Sequence, residues 1–238
     1  YLFSSSSDFT NGREITVAGD RIIVAQDAAT SNSNQNKLLV YKISSSGFEL
    51  KNAYDVEINL WGIHADLNTL YAIVDNSNKL AIFSNFFQNS GTTATPSQLV
   101  TVENLVRTHG LAYDHDKDIM ILTDIGDANS PTDGAVFIIN DLSKAIEDQN
   151  ISIDEQIVIK GNNTHLGNPV DAAFGPDGKY IFIAERAGGE LLAFATPDQN
   201  GNIAPFSKMS VPGISAVYLT GSTREGQPTT ATVEVSGG

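Results

Sequence analysis

The chain has 238 residues, a length that a single closed all-β domain often reaches. It carries 14 Lys plus Arg against 28 Asp plus Glu, so the field of its net charge of -14 repels phosphate backbones and anionic lipid surfaces. No apolar run reaches the roughly 18 residues that a membrane-spanning helix requires. We therefore expect neither a nucleic-acid partner nor a direct membrane span.

Four repeats of four short strands follow one another along the chain. They cover about residues 11–56, 57–104, 105–161 and 165–212. The second and third strands hold near-continuous apolar runs such as IIVA and MIL, which are typical of sheets covered on both faces. The fourth strands, such as ELKNAYDV, are half polar and suit an outer rim.

Two sets of positions recur in register through the repeats. The first strands align Glu14, Gly62, Gly110 and Asp171, and the second strands align Gln26, Asp75, Asp124 and Glu185. Repeats of about 40–50 residues with four strands each are the signature of a β-propeller, in which each sheet is one blade. The sequence therefore predicts an all-β fold, a single β-propeller domain of four-stranded antiparallel blades.

Partial strands flank the four complete blades, at residues 1–8 and 213–235. Two interpretations of these strands stay open. Either the chain is part of a ring of about six blades, or Tyr1–Ser4 and Thr229–Val235 close a smaller ring by strand sharing. We expect the larger ring, because an unpaired blade would leave sheet edges and apolar faces in water.

The repeats resemble the NHL, YVTN and gluconolactonase-like group of propellers, whose first strands share a G-[IL]-x-x-D pattern. The phrases LWGIHAD, VRTHGLAYD and LGNPVDAAFGPDGKYIFIAERAGG are most similar to a family of bacterial surface or lipoprotein propellers that has no agreed chemistry. This resemblance spans about residues 8–220. It implies an extracellular or outer-surface location, with a lipid anchor outside this sequence.

In a propeller, the loops leading into first strands and those leaving second strands share one face, which is the usual binding funnel. The residues predicted to line this funnel are Arg13, Glu14, Trp61, His64, Asp75, Arg107, His109, Asp124, Asp171, Glu185 and Arg186. The alternative is that these side chains hydrogen-bond loops and pair with one another, because buried charge must be partnered.

Two metal sites are candidates. The loop DIGDANSPTDG has the oxygen density of a calcium loop, with Asp124, Asp127, Asn129 and Asp133 as ligands, but Asp and Asn also form such loops by making side-chain turns. The resemblance to gluconolactonases implies a second site, a divalent ion that polarises a lactone carbonyl. Glu14, Asp124, Asn168 and Asp171 offer suitable oxygen atoms for it.

Aromatic residues suggest contact surfaces. Trp61, the only tryptophan, is either a platform for stacking a sugar or a residue that packs between blades. The adjacent Phe86 and Phe87 lie on a loop, so that one of them is expected to be exposed unless both tuck under the outer strand.

From these features we predict a non-catalytic extracellular propeller that presents a loop face to a protein or glycan in a bacterial cell-surface assembly. It needs no cofactor in this interpretation, with calcium as the exception. The alternative is a divalent-metal-dependent lactonase or sugar-acid hydrolase.

Overall fold

The computed structural model describes residues 8–127, 130, 132–220 and 232–237. The chain divides into two compact units, Tyr1–Val102 and Glu103–Gly238, here called the N-terminal and C-terminal units. Among the described residues, no helix has the length and apolar character needed to cross a membrane.

The N-terminal unit contains blade 1, a four-stranded antiparallel sheet in the order β1-β2-β3-β4, and the blade 2 strands in the order β5-β6-β7-β8. The strands are β1 Gly12–Ala18, β2 Arg21–Gln26, β3 Asn36–Ser44, β4 Gly47–Val56, β5 Leu60–Asp66, β6 Thr69–Val74, β7 Lys79–Phe83 and β8 Gln98–Val102. Short 3-10 turns occupy Thr30–Asn32 and Phe86–Gln88.

The C-terminal unit contains blade 3, ordered β9-β10-β11-β13, and blade 4, ordered β14-β15-β16-β17. Its strands are β9 Thr108–Asp114, β10 Ile119–Asp124, β11 Ala135–Ile139, β12 Asn150–Ile151, β13 Gln156–Lys160, β14 Pro169–Phe174, β15 Tyr180–Glu185, β16 Glu190–Ala195, β17 Ser207–Ser210, β18 Ile214–Thr220 and β19 Thr232–Gly237. A helical turn, α1, covers Leu142–Ala145, and a 3-10 turn covers Ile153–Glu155.

These sheets confirm the predicted fold class, an all-β chain of four-stranded antiparallel propeller blades. The strand β18, which lies in the partial strands predicted at residues 213–235, pairs antiparallel with β19 in a separate two-stranded sheet. Residues 1–7 and 221–231, which include Tyr1–Ser4 and the start of Thr229–Val235, lie outside the described residues.

The apolar runs of the second and third strands supply the core of each unit. In the N-terminal unit Ile23, Leu38 and Leu70 are fully buried between blades 1 and 2. In the C-terminal unit Ile121 and Ile183 hold the same place between blades 3 and 4. Each such side chain stabilises the fold by about 1.5–3 kcal/mol through burial of apolar surface.

A loop from one blade extends the outer strand of the blade before it in each unit. Thr93, between β7 and β8, forms a parallel bridge with Asp55 of β4. Gly201, between β16 and β17, forms the same kind of bridge with Ile159 of β13. These loops satisfy backbone groups along an edge that would otherwise face water.

Candidate functional site

The N-terminal unit carries a cation held on an aromatic ring. The guanidinium carbon of Arg13 lies 4.1 Å from the ring centroid of Trp61, within the range of a cation–π contact. Arg13 also donates from Nη2 and Nε to Asp27 Oδ2, at 2.7 and 3.1 Å. Asp27 is buried, whereas the Arg13 side chain is 29% exposed. The pair therefore presents a fixed guanidinium edge to solvent beside Trp61.

Two titratable side chains lie on the first strands of the same unit. Burial raises the pKa of Glu14 to about 7, although a hydrogen bond from the Ile15 N–H partly opposes this rise. Burial lowers the pKa of His64, and the Asp66 carboxylate opposes that shift. At neutral pH Glu14 is thus partly protonated and His64 is neutral. Both groups can exchange hydrogen bonds with hydroxyl groups.

In blade 1, the second strand ends at Gln26, whose side chain hydrogen-bonds the backbone of neighbouring loops. Gln26 Oε1 accepts from the Thr10 N–H at 3.0 Å, and its Nε2 donates to the Gln35 carbonyl at 3.0 Å. In blade 2 the corresponding Asp75 accepts from the backbone and side-chain nitrogens of Asn76, both at 2.8 Å. At this aligned position, Gln26 therefore binds the backbone of two loops in blade 1, and Asp75 binds the next residue of its own turn in blade 2.

In blade 3 the same position is Asp124, which is buried. Its Oδ2 accepts from the N–H groups of Val106 at 2.6 Å and Arg107 at 3.0 Å, and its Oδ1 accepts from Gly126 N–H at 2.7 Å. The carboxylate therefore joins the end of β10 to the loop that leads into β9.

Glu185 repeats this arrangement in blade 4. Its Oε1 accepts from the Asn168 N–H at 2.5 Å and Ala187 N–H at 3.1 Å, and its Oε2 accepts from the Gly188 N–H at 2.6 Å. In three of the four aligned positions the side chain therefore reaches a loop preceding a first strand. We call these three residues, Gln26, Asp124 and Glu185, the clasp residues.

Other predicted funnel residues of the C-terminal unit differ in exposure. His109 is buried on β9, whereas Arg186, just after β15, is exposed. The backbone N–H of Arg107 is one of the donors to Asp124. Whether the eleven predicted residues form one funnel stays a prediction.

Two of the four residues suggested for a channel metal, Asp171 and Asp124, accept hydrogen bonds from the backbone. Asp171 accepts from the Ala172 N–H and the Val217 N–H, both at 2.8 Å, so each of its oxygens already binds backbone. Asp124 is turned toward backbone in the same way. In residues 8–127, 130, 132–220 and 232–237, no three His, Cys, Asp or Glu side chains are grouped as metal ligands.

In the acidic loop after β10, the Asp133 carboxylate accepts a hydrogen bond from the backbone of the same loop. Asp133 Oδ2 accepts from the Asp127 N–H at 3.0 Å, and Gly126 adopts a left-handed φ of 62° that brings the chain against the Asp133 carboxylate. Asn129, the fourth candidate ligand, lies outside the described residues. Calcium in this loop stays a prediction.

The two phenylalanines of the loop after β7 differ. Phe86 is 2% exposed and packs edge-on against Tyr54 and Phe83, while Phe87 is half-buried. The sequence suggested one exposed ring, and Phe87 is the one that reaches the surface.

Asp27 orients the Arg13 side chain. It directly follows β2, so the sequence identified it as a polar residue at a strand end but gave no sign of its contact with Arg13.

The sequence matches no protein-family model and no curated protein. Several solved structures share the fold. A putative 6-phosphogluconolactonase from Bacteroides uniformis is 15% identical with a TM-score of 0.54, over 87% of this chain and 59% of that one. The periplasmic gluconolactonase of Pseudomonas aeruginosa is 13% identical with a TM-score of 0.56, over 94% and 65%.

A chain of the nidogen–laminin complex is 10% identical with a TM-score of 0.57, over 87% of this chain and 67% of that one. The chain thus spans 59% to 67% of the length of these structures. At such low identity the similarity concerns the fold alone. The protein therefore has the fold of the gluconolactonase-like β-propellers.

Proposed function

We propose that the protein is a non-catalytic extracellular binding module that presents the loops around its first strands to a glycan or a protein at the cell surface. The pairing of Arg13 with Trp61 is the observation that carries this proposal. Aromatic and arginine side chains dominate the binding energy of many recognition surfaces. Asp27 fixes the guanidinium in advance, which lowers the entropy lost when a ligand binds.

The use of the acidic residues supports a binding role over catalysis. Asp124, Asp171 and Glu185 all accept hydrogen bonds from backbone N–H groups. A carboxylate committed in this way is poorly placed to act as a metal ligand or a general base. A binding surface, by contrast, needs rigid loops, and these contacts provide them.

The second candidate is a divalent-metal-dependent lactonase or sugar-acid hydrolase. Two solved structures with this fold are named as gluconolactonase or putative 6-phosphogluconolactonase. Glu14 also favours this candidate, because a carboxyl group with a pKa of about 7 suits general acid–base chemistry.

The single tryptophan makes the proposal testable by fluorescence. Glycans selected on an array of neutral and uronic-acid-containing cell-surface oligosaccharides should change the Trp61 emission in a saturable manner. Arg13→Ala should weaken binding about tenfold, since it removes a charge-assisted contact. Lys51→Ala, on the exposed outer strand β4, is the matched control and should bind as the wild type does.

Hydrolysis of glucono-δ-lactone provides the opposing test. Turnover that requires a divalent ion, and that Asp171→Asn abolishes without loss of folding, would contradict the binding role. Equal binding by the wild type and Arg13→Ala would contradict the assignment of the surface to Trp61.

A further inference from the structure

The Arg13–Trp61 surface contains an ion pair that balances its own charge. Nε and Nη2 of Arg13 both donate to Asp27 Oδ2, and Asp27 is 6% exposed. A buried carboxylate is tolerated in a fold when a well hydrogen-bonded cation pairs with it. The guanidinium is therefore already neutralised, and a carboxylate brought by a ligand would become a second anion beside a single cation.

The guanidinium nevertheless keeps part of its capacity to donate hydrogen bonds. The N–H groups on Nη1 and the second N–H of Nη2 have no acceptor within the part of the chain that the structure describes. These donors lie in the plane of the guanidinium, whose central carbon is 4.1 Å from the Trp61 ring centroid. One edge of a fixed, planar group therefore offers two N–H groups to adjacent acceptor atoms of a ligand.

The loop between β2 and β3, residues 27–35, adds uncharged polar groups next to this pair. From Asp27 to Lys37 the intervening sequence is AATSNSNQN, which contains amide and hydroxyl side chains but no Asp, Glu, Lys or Arg. Ser33 and Asn34 are exposed in this loop. Such side chains both donate and accept hydrogen bonds, and they do so with neutral partners.

Hydrogen bonds hold this loop against the residue that orients Arg13. Asn32 Nδ2 donates to the Asp27 carbonyl at 2.8 Å, and Asn32 Oδ1 accepts from the Gln35 N–H at 3.1 Å. Gln26 Nε2 donates to the Gln35 carbonyl at 3.0 Å. Since the loop is ordered before a ligand arrives, less entropy is lost on binding.

The following residue, Asn36, ties the loop to the strand that carries Trp61. Asn36 Oδ1 accepts from the Ala28 N–H at 2.7 Å, and Asn36 Nδ2 donates to Asn59 Oδ1 at 3.1 Å. Asn59 directly precedes β5, on which Trp61 lies. The loop, the tryptophan and the guanidinium therefore belong to one connected surface of the N-terminal unit.

We propose that the ligand of this surface is a neutral glycan, whose adjacent hydroxyl oxygens accept from the unused N–H groups of Arg13 while a further hydroxyl binds the loop at Asn34. This inference rests on the proposed function and names the ligand class of the same surface. Hydroxyl oxygens accept hydrogen bonds without placing a second anion beside Asp27. The net charge of -14 also opposes an acidic sugar.

The test compares oligosaccharides in matched pairs, each ending either in a neutral hexose or in the uronic acid of the same ring stereochemistry. Glucose, galactose and mannose provide three such pairs. Binding is followed at neutral pH by the fluorescence of Trp61, the only tryptophan. For the pair that binds most tightly, the neutral form should bind about tenfold more tightly than the uronic acid.

Asp27→Asn tests the electrostatic cause of this preference. The amide still accepts a hydrogen bond from Arg13 but no longer neutralises it, so the affinity ratio should shift about tenfold toward the uronic acid. Asn34→Ala leaves the ion pair intact and should weaken binding of the neutral form about threefold. Lys51→Ala, on the outer strand β4, is the control and should keep the wild-type ratio.

The inference is overturned if the uronic acid binds as tightly as the neutral form, or if folded Asp27→Asn keeps the wild-type ratio. In either case a loss of binding in Arg13→Ala would still support the surface of the proposed function. If no oligosaccharide of either class binds, the inference and the glycan-binding form of the proposed function both fail. If Asp27→Asn does not fold, the wild-type ratio and the Asn34→Ala titration decide.

Discussion

At the residue scale, the clasp residues are buried, and their side-chain oxygens accept hydrogen bonds from backbone N–H groups. Asp124 is 2% exposed and Glu185 1% exposed, yet each accepts at least three backbone N–H groups. A buried carboxylate is tolerated when hydrogen bonds replace its hydration. The same contacts order the loops on which the predicted funnel residues lie.

Replacing one clasp residue should therefore lower the free energy of unfolding. Asp124→Ala leaves the N–H groups of Val106, Arg107 and Gly126 without their acceptor, and we expect the free energy of unfolding to fall by about 3 kcal/mol. Urea denaturation measures this change. Asp116→Ala, in an exposed turn of the same blade, is the control and should change stability by less than about 0.5 kcal/mol. Equal effects of the two substitutions would show that the clasp does not stabilise the fold.

Glu14 predicts a dependence of stability on pH. The folded state keeps its proton up to about pH 7, whereas the unfolded chain loses it near 4.5. Between these values the folded state binds more protons, so stability falls as pH rises and levels off above about pH 7.

Glu14→Gln should remove that part of the decline. Comparing urea unfolding at pH 5 and pH 8, we expect the wild type to lose about 2 kcal/mol more than the variant, a value reduced for the partial exposure of Glu14. Parallel pH profiles for the two proteins would contradict a raised pKa at this position.

At the element scale, the first strands of blades 3 and 4 approach closely at Gly110. A Cβ placed there would lie 2.5 Å from Asp171 Cα and 2.7 Å from the Val170 carbonyl oxygen. These are backbone atoms, which cannot move aside as a flexible side chain can. The packing of β9 against β14 therefore requires the absence of a side chain at this position.

Gly110→Ala should destabilise the C-terminal unit by about 3 kcal/mol, because the two strands must separate. Gly91→Ala is the matched control, since its nearest neighbour is the tip of the Asn89 side chain at 3.2 Å. The thermal midpoint should fall clearly for the first variant and little for the second. A midpoint for Gly110→Ala equal to that of the control would refute the close approach.

The strands were predictable from sequence because apolar runs such as IIVA and turn clusters such as GPDG mark them directly. The register of the second strands likewise identified Asp124 and Glu185 as equivalent. Hydrogen bonding to loops was one of the two interpretations that the sequence left open for them, because a carboxylate at a strand end serves a loop, a metal or a substrate depending on where backbone N–H groups point. The bridges at Thr93 and Gly201 were missed, since single parallel bridges leave no periodic pattern.

At the scale of the whole molecule, the fold alone does not decide between binding and catalysis. The same architecture occurs in structures named as lactonases and in a chain of the nidogen–laminin complex. Function on a shared fold depends on the particular side chains. In this protein Asp124, Asp171 and Glu185 bind backbone N–H groups, whereas an arginine on an aromatic ring occurs twice at the surface of the N-terminal unit.

The central claim, that the acidic residues of the loop face serve the backbone and not a metal ion, is tested most directly by thermal unfolding in EDTA and in millimolar calcium or magnesium. A tight site saturated about 100-fold over its Kd adds about 2.7 kcal/mol, which is several degrees for a chain of this size. We predict that any shift depending on Asp171 or Asp124 is less than about one degree. A rise of several degrees, abolished by Asp171→Asn or Asp124→Asn, would contradict the account.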